Sequence, residues 1–203
     1  MIRSITLCIN HSSKIRELGL SRPRVCFEPG YNVLIGKNGS GKSTLLKALV
    51  SCTMCAIEKT SGDETIKYVT TEVLNPLVGG SFSTRAEMVQ GIRAMFQSHG
   101  QGVLDSLRSQ CHASETIVLI DSPETGQDHD NSLLIHQGLL TMSKRYQVIV
   151  ATNSLVFMRG GNVIDLGRRT LPRLVSATRK LVTEFDTARK RQGSSSREKE
   201  PPG

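Results

Sequence analysis

The segment GKNGSGKS, residues 36–43, constrains the fold more than any other part of the chain. It follows a short β-rich run at residues 31–35 and precedes a helical pattern predicted to extend from about Lys42 to Lys59. A glycine-rich turn between a strand and a helix lets backbone N–H groups point inward, and the amino-terminal end of the helix adds positive potential. The segment is therefore predicted to be a phosphate-binding loop.

Individual residues of this loop have expected roles. Lys42 is expected to reach the β- and γ-phosphates of a nucleotide, and the Ser43 hydroxyl is expected to ligate Mg²⁺. The predicted nucleotide-binding residues of the loop are Gly36, Lys37, Asn38, Gly39, Ser40, Gly41, Lys42, Ser43 and Thr44.

The remaining pattern predicts an α/β fold. Three β-rich runs, TIVLID, QVIVAT and NVIDLG, lie in the second half of the chain, and a helical stretch from about residue 131 to 144 separates the first two. Near-continuous apolar strands that alternate with helices favour a mostly parallel sheet covered on both faces. A weaker strand is predicted at residues 65–72, and helices are predicted at about 84–96 and 103–111.

The run IVLID ends at Asp121, which places a carboxylate at the end of a buried strand. In phosphate-loop nucleotidases such an aspartate contacts Mg²⁺, normally through water. Ser122 follows it, where many ATP hydrolases of this design have a glutamate that polarises the attacking water.

Four motifs together carry a family resemblance. After the phosphate loop come QSHGQ at residues 97–101, DSPETGQD at 121–128 and IVATNS at 149–154. In this order they resemble the loop, signature, aspartate and switch motifs of the ATP-binding-cassette (ABC) ATPase superfamily. Within it, the chain is most similar to short RecF-like and overcoming-lysogenization-defect (OLD)-like proteins and stand-alone "AAA family" ATPases.

The resemblance implies a P-loop fold, with ATP and Mg²⁺ as cofactors, and a homodimer that forms on ATP. In that dimer Ser98, Gly100 and Gln101 of one subunit would contact the γ-phosphate held by Lys42 of another. Residues 125–128 would form a loop that crosses the dimer interface.

The sequence departs from the family pattern at the hydrolytic step. Ser122 cannot act as a carboxylate base, and Asn153 stands where the switch motif has a histidine. Because a positioned acid–base group contributes about 10²–10⁴ in rate, we expect slow hydrolysis and intact nucleotide binding. Glu124 is the substitute candidate for the base, and a role at a helix amino terminus or an interface remains equally open. Asn153 could still hydrogen-bond the γ-phosphate or a water molecule.

The interval between Lys42 and Ser98 is short, which predicts a reduced helical subdomain. It leaves little room for the full helical subdomain with which transporter ATPases bind their membrane subunits. Three functions remain. The first is a slow ATPase whose ATP-bound dimer engages nucleic acid or a nuclease-like partner in DNA repair or defence. The alternatives are a non-catalytic ATP-gated interaction module and, less favoured, a transporter subunit.

A basic amphipathic helix is predicted after Pro172, with one apolar stripe formed by Leu174, Ala177, Leu181, Phe185 and Ala188. Between residues 159 and 191, nine basic residues stand against three acidic ones. They are Arg159, Arg168, Arg169, Arg173, Arg179, Lys180, Arg189, Lys190 and Arg191. This segment could attract nucleic acid or an acidic protein, and a solvated helix face is the equally open alternative.

Composition sets the remaining expectations. Residues 1–191 are predicted to form one ATPase domain, and the polar residues 192–203 a disordered tail. No apolar run approaches the roughly 18 residues of a membrane span, and nothing indicates export, so a cytoplasmic location without membrane insertion is expected. The five cysteines are scattered, which favours reduced thiols. Cys52 and Cys55 form a CxxC within the predicted helix; no second ligand pair follows, so they are expected to be buried small side chains.

Overall fold

The computed structural model describes residues 1–16, 24–61, 64–70, 117–167 and 169–195. The chain divides into two compact units, one ending at residue 168 and one beginning at residue 169. The elements of the first unit are β1 (Ile2–Thr6), α1 (Ile9–Arg16), β2 (Arg24–Cys26), β3 (Tyr31–Ile35), α2 (Lys42–Ser51), β4 (Ala56–Lys59), β5 (Ile66–Thr70), β6 (Ile117–Asp121), α3 (His129–Met142), β7 (Gln147–Ala151) and β8 (Asn162–Asp165). The second unit contains α4 (Thr170–Ser195).

The central sheet of the first unit is parallel. Within the described ranges its strand order is β5-β6-β7-β3-β8, and each neighbouring pair is parallel. Every residue of β3 and β7 is buried, as expected for strands covered on both faces. The predicted α/β fold with a mostly parallel sheet is confirmed. The predicted helices at 84–96 and 103–111, and with them the reduced helical subdomain, lie outside the described residues.

A second sheet, which the sequence did not predict, is antiparallel, with strand order β2-β1-β4. Its inward residues Ile2 and Ile5 join the same core as Leu45, Leu46 and Leu49 of α2. The prediction that α2 extends to Lys59 was wrong. The helix ends at Ser51, Cys52 has extended backbone angles, and β4 pairs with β1 instead. The strand pairing outweighs a helical apolar pattern whose Ser–Cys–Thr residues have weak helix propensity.

Parallel pairing brings the carboxyl ends of the central strands to one edge of the sheet. Asp121 at the end of β6 is the register partner of Ala151 at the end of β7, and Leu34 of β3 is another partner of Ala151. The loops that follow these three strands therefore lie side by side, which is where open α/β sheets bind ligands.

The second unit is a basic helix. α4 confirms the predicted carboxyl-terminal basic helix and runs four residues into the segment predicted to be a tail. Its side chains Leu181, Val182 and Phe185 are exposed. Within the ranges that the structure covers, no helix is long and apolar enough to cross a bilayer.

Candidate functional site

The loop between β3 and α2 is a compact turn built around glycines. A Cβ atom at Gly36 would lie 2.8 Å from the Cβ of Ser40 and would also strike its hydroxyl, so only glycine fits there. Gly41 occupies the N-cap position of α2 with φ of 88° and supplies no side-chain cap. The first N–H groups of α2 are therefore left for another acceptor, as at anion-binding helix termini.

Lys42 lies at the start of α2 with only 7% of its surface exposed. Its ammonium donates hydrogen bonds to the carbonyl oxygens of Gly36 (2.8 Å) and Lys37 (3.2 Å) and to Oδ1 of Asn153 (3.0 Å). All three acceptors are neutral oxygens. Burial lowers the pKa of Lys42 below its usual value, and the charges of Glu124 and Asp121 oppose that change. A phosphate group would supply the missing negative charge at close range.

Asp121 is held at the end of β6 by a neighbour that the sequence analysis did not select. The Tyr68 hydroxyl on β5 donates a hydrogen bond to Oδ2 of Asp121 at 3.1 Å. Burial, followed by the Asp121 charge, raises the pKa of Tyr68, so the phenol remains a donor. The Ser122 hydroxyl donates to Oδ1 of Asp121 at 3.3 Å.

Ser122 itself has a left-handed backbone, with φ of 55°. Its N–H donates to the carbonyl of Ala151 at 2.8 Å, which ties the turn after β6 to the end of β7. A residue with a Cβ adopts this conformation only at a cost, and such positions cluster at functional sites.

Glu124 lies in the turn after β6, ahead of the first residue of α3, and its carboxylate is directed at the end of β7. Oε2 accepts a hydrogen bond from the Thr152 hydroxyl at 2.8 Å, and Oε1 accepts one from the Asn153 N–H at 2.9 Å. The helix terminus is instead capped by Asp128, whose side chain accepts from the Asn131 N–H at 2.7 Å. Glu124 is thus fixed beside the phosphate loop rather than serving as a helix cap.

Asn153 connects the two halves of the site. Besides accepting from Lys42, its side-chain amide donates to Oδ1 of Asn38 at 2.7 Å. Its backbone N–H is bound to Glu124. The side chain of Asn153 therefore contacts both Lys42 and Asn38 of the phosphate loop, while its backbone contacts Glu124.

This arrangement fits a nucleoside triphosphate with Mg²⁺. The Ser40 hydroxyl is buried and has no hydrogen-bond partner in the part of the chain that the structure covers. The uncapped α2 terminus and the Lys42 ammonium face the same loop. The Ser43 hydroxyl and the Asp121 carboxylate are the oxygen ligands that Mg²⁺ prefers and are the residues that would hold it.

Most of the residues that the sequence analysis selected lie close together in the structure. The fold brings together the loop residues Gly36 to Thr44, Asp121, Ser122, Glu124 and Asn153 at one sheet edge. The signature residues Ser98, Gly100 and Gln101 lie outside the described residues. The sequence analysis did not select Tyr68 and Thr152 as site residues. The weak alternation of β5 gave no reason to select Tyr68. Thr152 directly precedes Asn153, so its hydroxyl could have been considered.

Comparison with known proteins gives one family. A family model described as an AAA domain matches residues 18–192, which is most of the chain. No curated protein matches it in sequence.

Solved structures with a similar fold include ATP-binding cassettes. CbiO1 from Clostridium perfringens, part of the ABC transporter complex CbiONQ, has 17% identity and a TM-score of 0.52, with 88% of this chain and 92% of that chain covered. The ATP-binding cassette MJ0796 bound to ADP and Pi has 18% identity and a TM-score of 0.47, with 71% and 84% covered. A putative ABC transporter ATP-binding protein from Pyrococcus furiosus has 18% identity and a TM-score of 0.45, with 72% and 90% covered.

Proposed function

The chain belongs to the AAA domain family of P-loop ATPases, and on that premise we propose that it binds ATP with Mg²⁺ and hydrolyses it slowly. The observation that carries this proposal is the position of Glu124. Its carboxylate is held by Thr152 and Asn153, and Asn153 also bonds the phosphate-loop lysine. Asn153 thus contacts both the Glu124 carboxylate and the Lys42 ammonium.

The proposed chemistry assigns one role to each group. Lys42 and the N–H groups at the start of α2 hold the β- and γ-phosphates. Bound Mg²⁺, held by Ser43 and Asp121, would neutralise developing charge on the phosphates. Water attacks the γ-phosphorus, the bond to the ADP oxygen breaks, and Glu124 accepts the proton of the attacking water. Asn153 positions the γ-phosphate or that water as a neutral donor.

Slow turnover follows from the position of the base. Ser122 stands directly after Asp121, so no carboxylate occupies that position. Glu124 reaches the site from the next turn with both carboxylate oxygens already engaged by donors. A general base must hydrogen-bond the water that it activates, so these two donors compete with that water for the Glu124 carboxylate and lower its efficiency.

We further propose that ATP closes a homodimer in which Ser98, Gly100 and Gln101 contact the γ-phosphate bound by the other copy. The family resemblance of QSHGQ supports this step. Gln101→Ala would then leave ATP binding to the monomer intact and prevent ATP-induced dimerisation in sedimentation velocity runs. Normal dimers in that variant would remove the closed-dimer proposal and leave ATP binding standing.

The proposed partner is nucleic acid or an acidic protein surface, with a nuclease-like protein in DNA repair or defence as the wider setting. Arg173, Arg179, Lys180 and Arg189 are exposed on α4. Binding to DNA would weaken steeply with salt, because each neutralised phosphate releases counterions. The proposed compartment is the cytoplasm, where free thiols such as that of the exposed Cys26 remain reduced.

The direct experiment compares wild type, Lys42→Ala and Lys47→Ala in two assays, ATP-induced thermal stabilisation and phosphate release. Lys47 lies on the exposed side of the same helix and serves as the matched control. With ATP at about 100 times its Kd, the wild type and the control should gain about 2.7 kcal/mol, and Lys42→Ala should lose that gain together with turnover. An unchanged ATP-induced shift in Lys42→Ala would contradict the site.

A non-catalytic ATP-gated module is the second candidate, favoured by the serine at position 122. It predicts ATP binding and dimerisation with phosphate release no faster than in Lys42→Ala. A transporter role has weaker support, because similarity at 17% identity shows the fold alone.

A further inference from the structure

Four side chains that bind transition metals converge at the end of α2 remote from the phosphate loop. The ligand atoms of Cys8, His11, Cys52 and Cys55 all lie within 4.8 Å of one another. Cys8 precedes α1, His11 lies in the first turn of that helix, Cys52 caps α2, and Cys55 directly precedes β4. None of the four belongs to the proposed ATP site.

The spacing along the chain is that of a zinc site. Cys8 and His11 are separated by two residues, and so are Cys52 and Cys55. Two ligand pairs, each with a two-residue spacer, form the usual frame of structural zinc sites. The second pair precedes Cys52 and Cys55 in the sequence, near the start of the chain, and the pairing of β1 with β4 brings the two pairs together.

The distances match a single ion at the centre of the four atoms. Sγ of Cys8 lies 3.2 Å from Nδ1 of His11 and 4.0 Å from Sγ of Cys52, and Sγ of Cys55 lies 3.4 Å from the same nitrogen. A tetrahedral zinc ion with Zn–S of about 2.3 Å and Zn–N of about 2.0–2.1 Å places two sulfurs about 3.8 Å apart, and a sulfur and a nitrogen about 3.5 Å apart. These three separations agree with that geometry to within a few tenths of an ångström, and all pairs of ligand atoms lie within 4.8 Å.

The surroundings favour a metal over a disulfide. All four described cysteines are free, and 4.0 Å between the sulfurs of Cys8 and Cys52 is about twice a disulfide bond. Cys55 is buried, and Cys8, His11 and Cys52 are half-buried. Cys8 and Cys52 pack against the main core, which includes Cys55. The N–H of Cys8 donates to Sγ of Cys55 at 3.4 Å, the kind of outer hydrogen bond that stabilises a coordinated thiolate.

We propose that Cys8, His11, Cys52 and Cys55 bind one structural Zn²⁺ ion in tetrahedral Cys₃His coordination. Three thiols each release a proton to solvent on binding, and His11 coordinates through the Nδ1 lone pair with Nε2 protonated, so the site carries a net charge of about −1. Thiolate and imidazole ligands select zinc over Mg²⁺ or Ca²⁺. Because the protein fills all four positions, the site is closed and has no place for a reacting water.

The ion would join the first strand and helix to the carboxyl end of the phosphate-loop helix. α2 has 10 residues, so the ion lies about 15 Å along the helix from Lys42. It ties together the turn before α1 and the turn before β4, which are otherwise connected by strand pairing and core contacts. Removing the metal is therefore expected to destabilise the first unit more than it changes the ATP-binding groups themselves.

The test uses the full chain, purified without chelators, and measures zinc by inductively coupled plasma mass spectrometry. Wild type and Cys26→Ser should each contain about one zinc per chain. Cys26 is an exposed free cysteine outside the cluster and is the matched control. Cys8→Ser, Cys55→Ser and His11→Asn should each contain much less zinc than the wild type, because loss of a ligand should weaken binding at least as much as the roughly 10–100-fold caused by changes to outer-shell partners. Equal zinc content in all five proteins would overturn the proposal.

A second measurement needs no ligand variant to fold. Co²⁺ added to metal-stripped wild type should give the intense visible absorption of a tetrahedral ion with thiolate ligands. Zinc should also protect Cys8, Cys52 and Cys55 from alkylation while Cys26 reacts, and a chelator should remove that protection. Weak octahedral Co²⁺ absorption, equal alkylation with and without chelator, or a Cys52–Cys55 disulfide in the purified chain would each overturn the proposal.

Discussion

The ammonium of Lys42 donates a hydrogen bond to Oδ1 of Asn153 at 3.0 Å, which joins the phosphate loop to the segment that follows β7. The same amide donates to Asn38 at 2.7 Å. A γ-phosphate that enters the loop must compete with Asn153 for Lys42, or be contacted by both. We therefore expect Asn153 to distinguish a nucleoside triphosphate from a diphosphate.

Asn153→Asp should weaken ATP binding by at least about tenfold more than ADP binding. The new carboxylate would repel the γ-phosphate, which ADP lacks, and at an effective dielectric constant of about 20 such repulsion amounts to a few kcal/mol. Isothermal titration of both nucleotides gives the ratio of Kd values. Asn153→Ala removes the same hydrogen bonds without adding charge and should change the ratio much less. Equal losses for ATP and ADP in the aspartate variant would show that this residue does not face the γ-phosphate.

His136 should make the first unit less stable in mild acid. It is 2% exposed on α3, its Nε2 lies 3.0 Å from the carbonyl of Arg159, and its ring contacts Tyr31 and Phe157. Burial lowers its pKa below 6.5, and the Arg159 charge adds to that effect while the backbone carbonyl opposes it. As pH falls through about 6.5, the unfolded chain binds a proton that the folded chain does not, so the free energy of unfolding decreases until the lower folded pKa is passed.

The measurement for His136 is urea unfolding at roughly pH 8 and roughly pH 5, with His136→Gln as the comparison. Glutamine retains a donor for the Arg159 carbonyl and does not titrate. The wild type should lose about 1.4 kcal/mol more than the variant for each unit by which the pKa is lowered. Parallel pH dependence of the two proteins would contradict the assignment, whatever their absolute stabilities.

The sequence predicted the parts of the fold that depend on local pattern. β3, β6 and β7 are near-continuous apolar runs bounded by glycine or polar residues, and they lie at or within one residue of the predicted positions. The predicted relationship to P-loop ATPases is confirmed by the family match, and the fold is similar to that of an ATP-binding cassette.

What the sequence did not predict depends on contacts between distant residues. β4 looks helical locally and is extended because it pairs with β1, whose residues lie 50 or more positions away along the chain. The hydrogen bonds of Glu124 to Thr152 and Asn153 span 28 and 29 residues. They exist because β6 and β7 are parallel neighbours, so the position of the Glu124 carboxylate beside the end of β7 could not be predicted before the sheet order was known.

Ser122→Glu should raise turnover by less than about tenfold, because Glu124 already supplies a carboxylate beside Asn153. The left-handed backbone at this position directs the new side chain away from the path it would take on an extended strand. Steady-state phosphate release is the measurement, and Ser122→Gln is the control of equal size without the charge. A gain of about 10²-fold or more in the glutamate variant alone would mean that the missing base at position 122 is what makes the enzyme slow.

The most direct test of the account is single-turnover ATP hydrolysis by Glu124→Gln. The amide oxygen can still accept one of the two hydrogen bonds from Thr152 and Asn153, so the turn is retained while the base is lost. We predict a fall of about 10²-fold or more in the hydrolysis rate, with the Kd for ATP changed only a few-fold. Asp130→Asn, which neutralises an exposed carboxylate on the first turn of α3, should retain the wild-type rate. Wild-type hydrolysis by Glu124→Gln would contradict the central claim that Glu124 is the base.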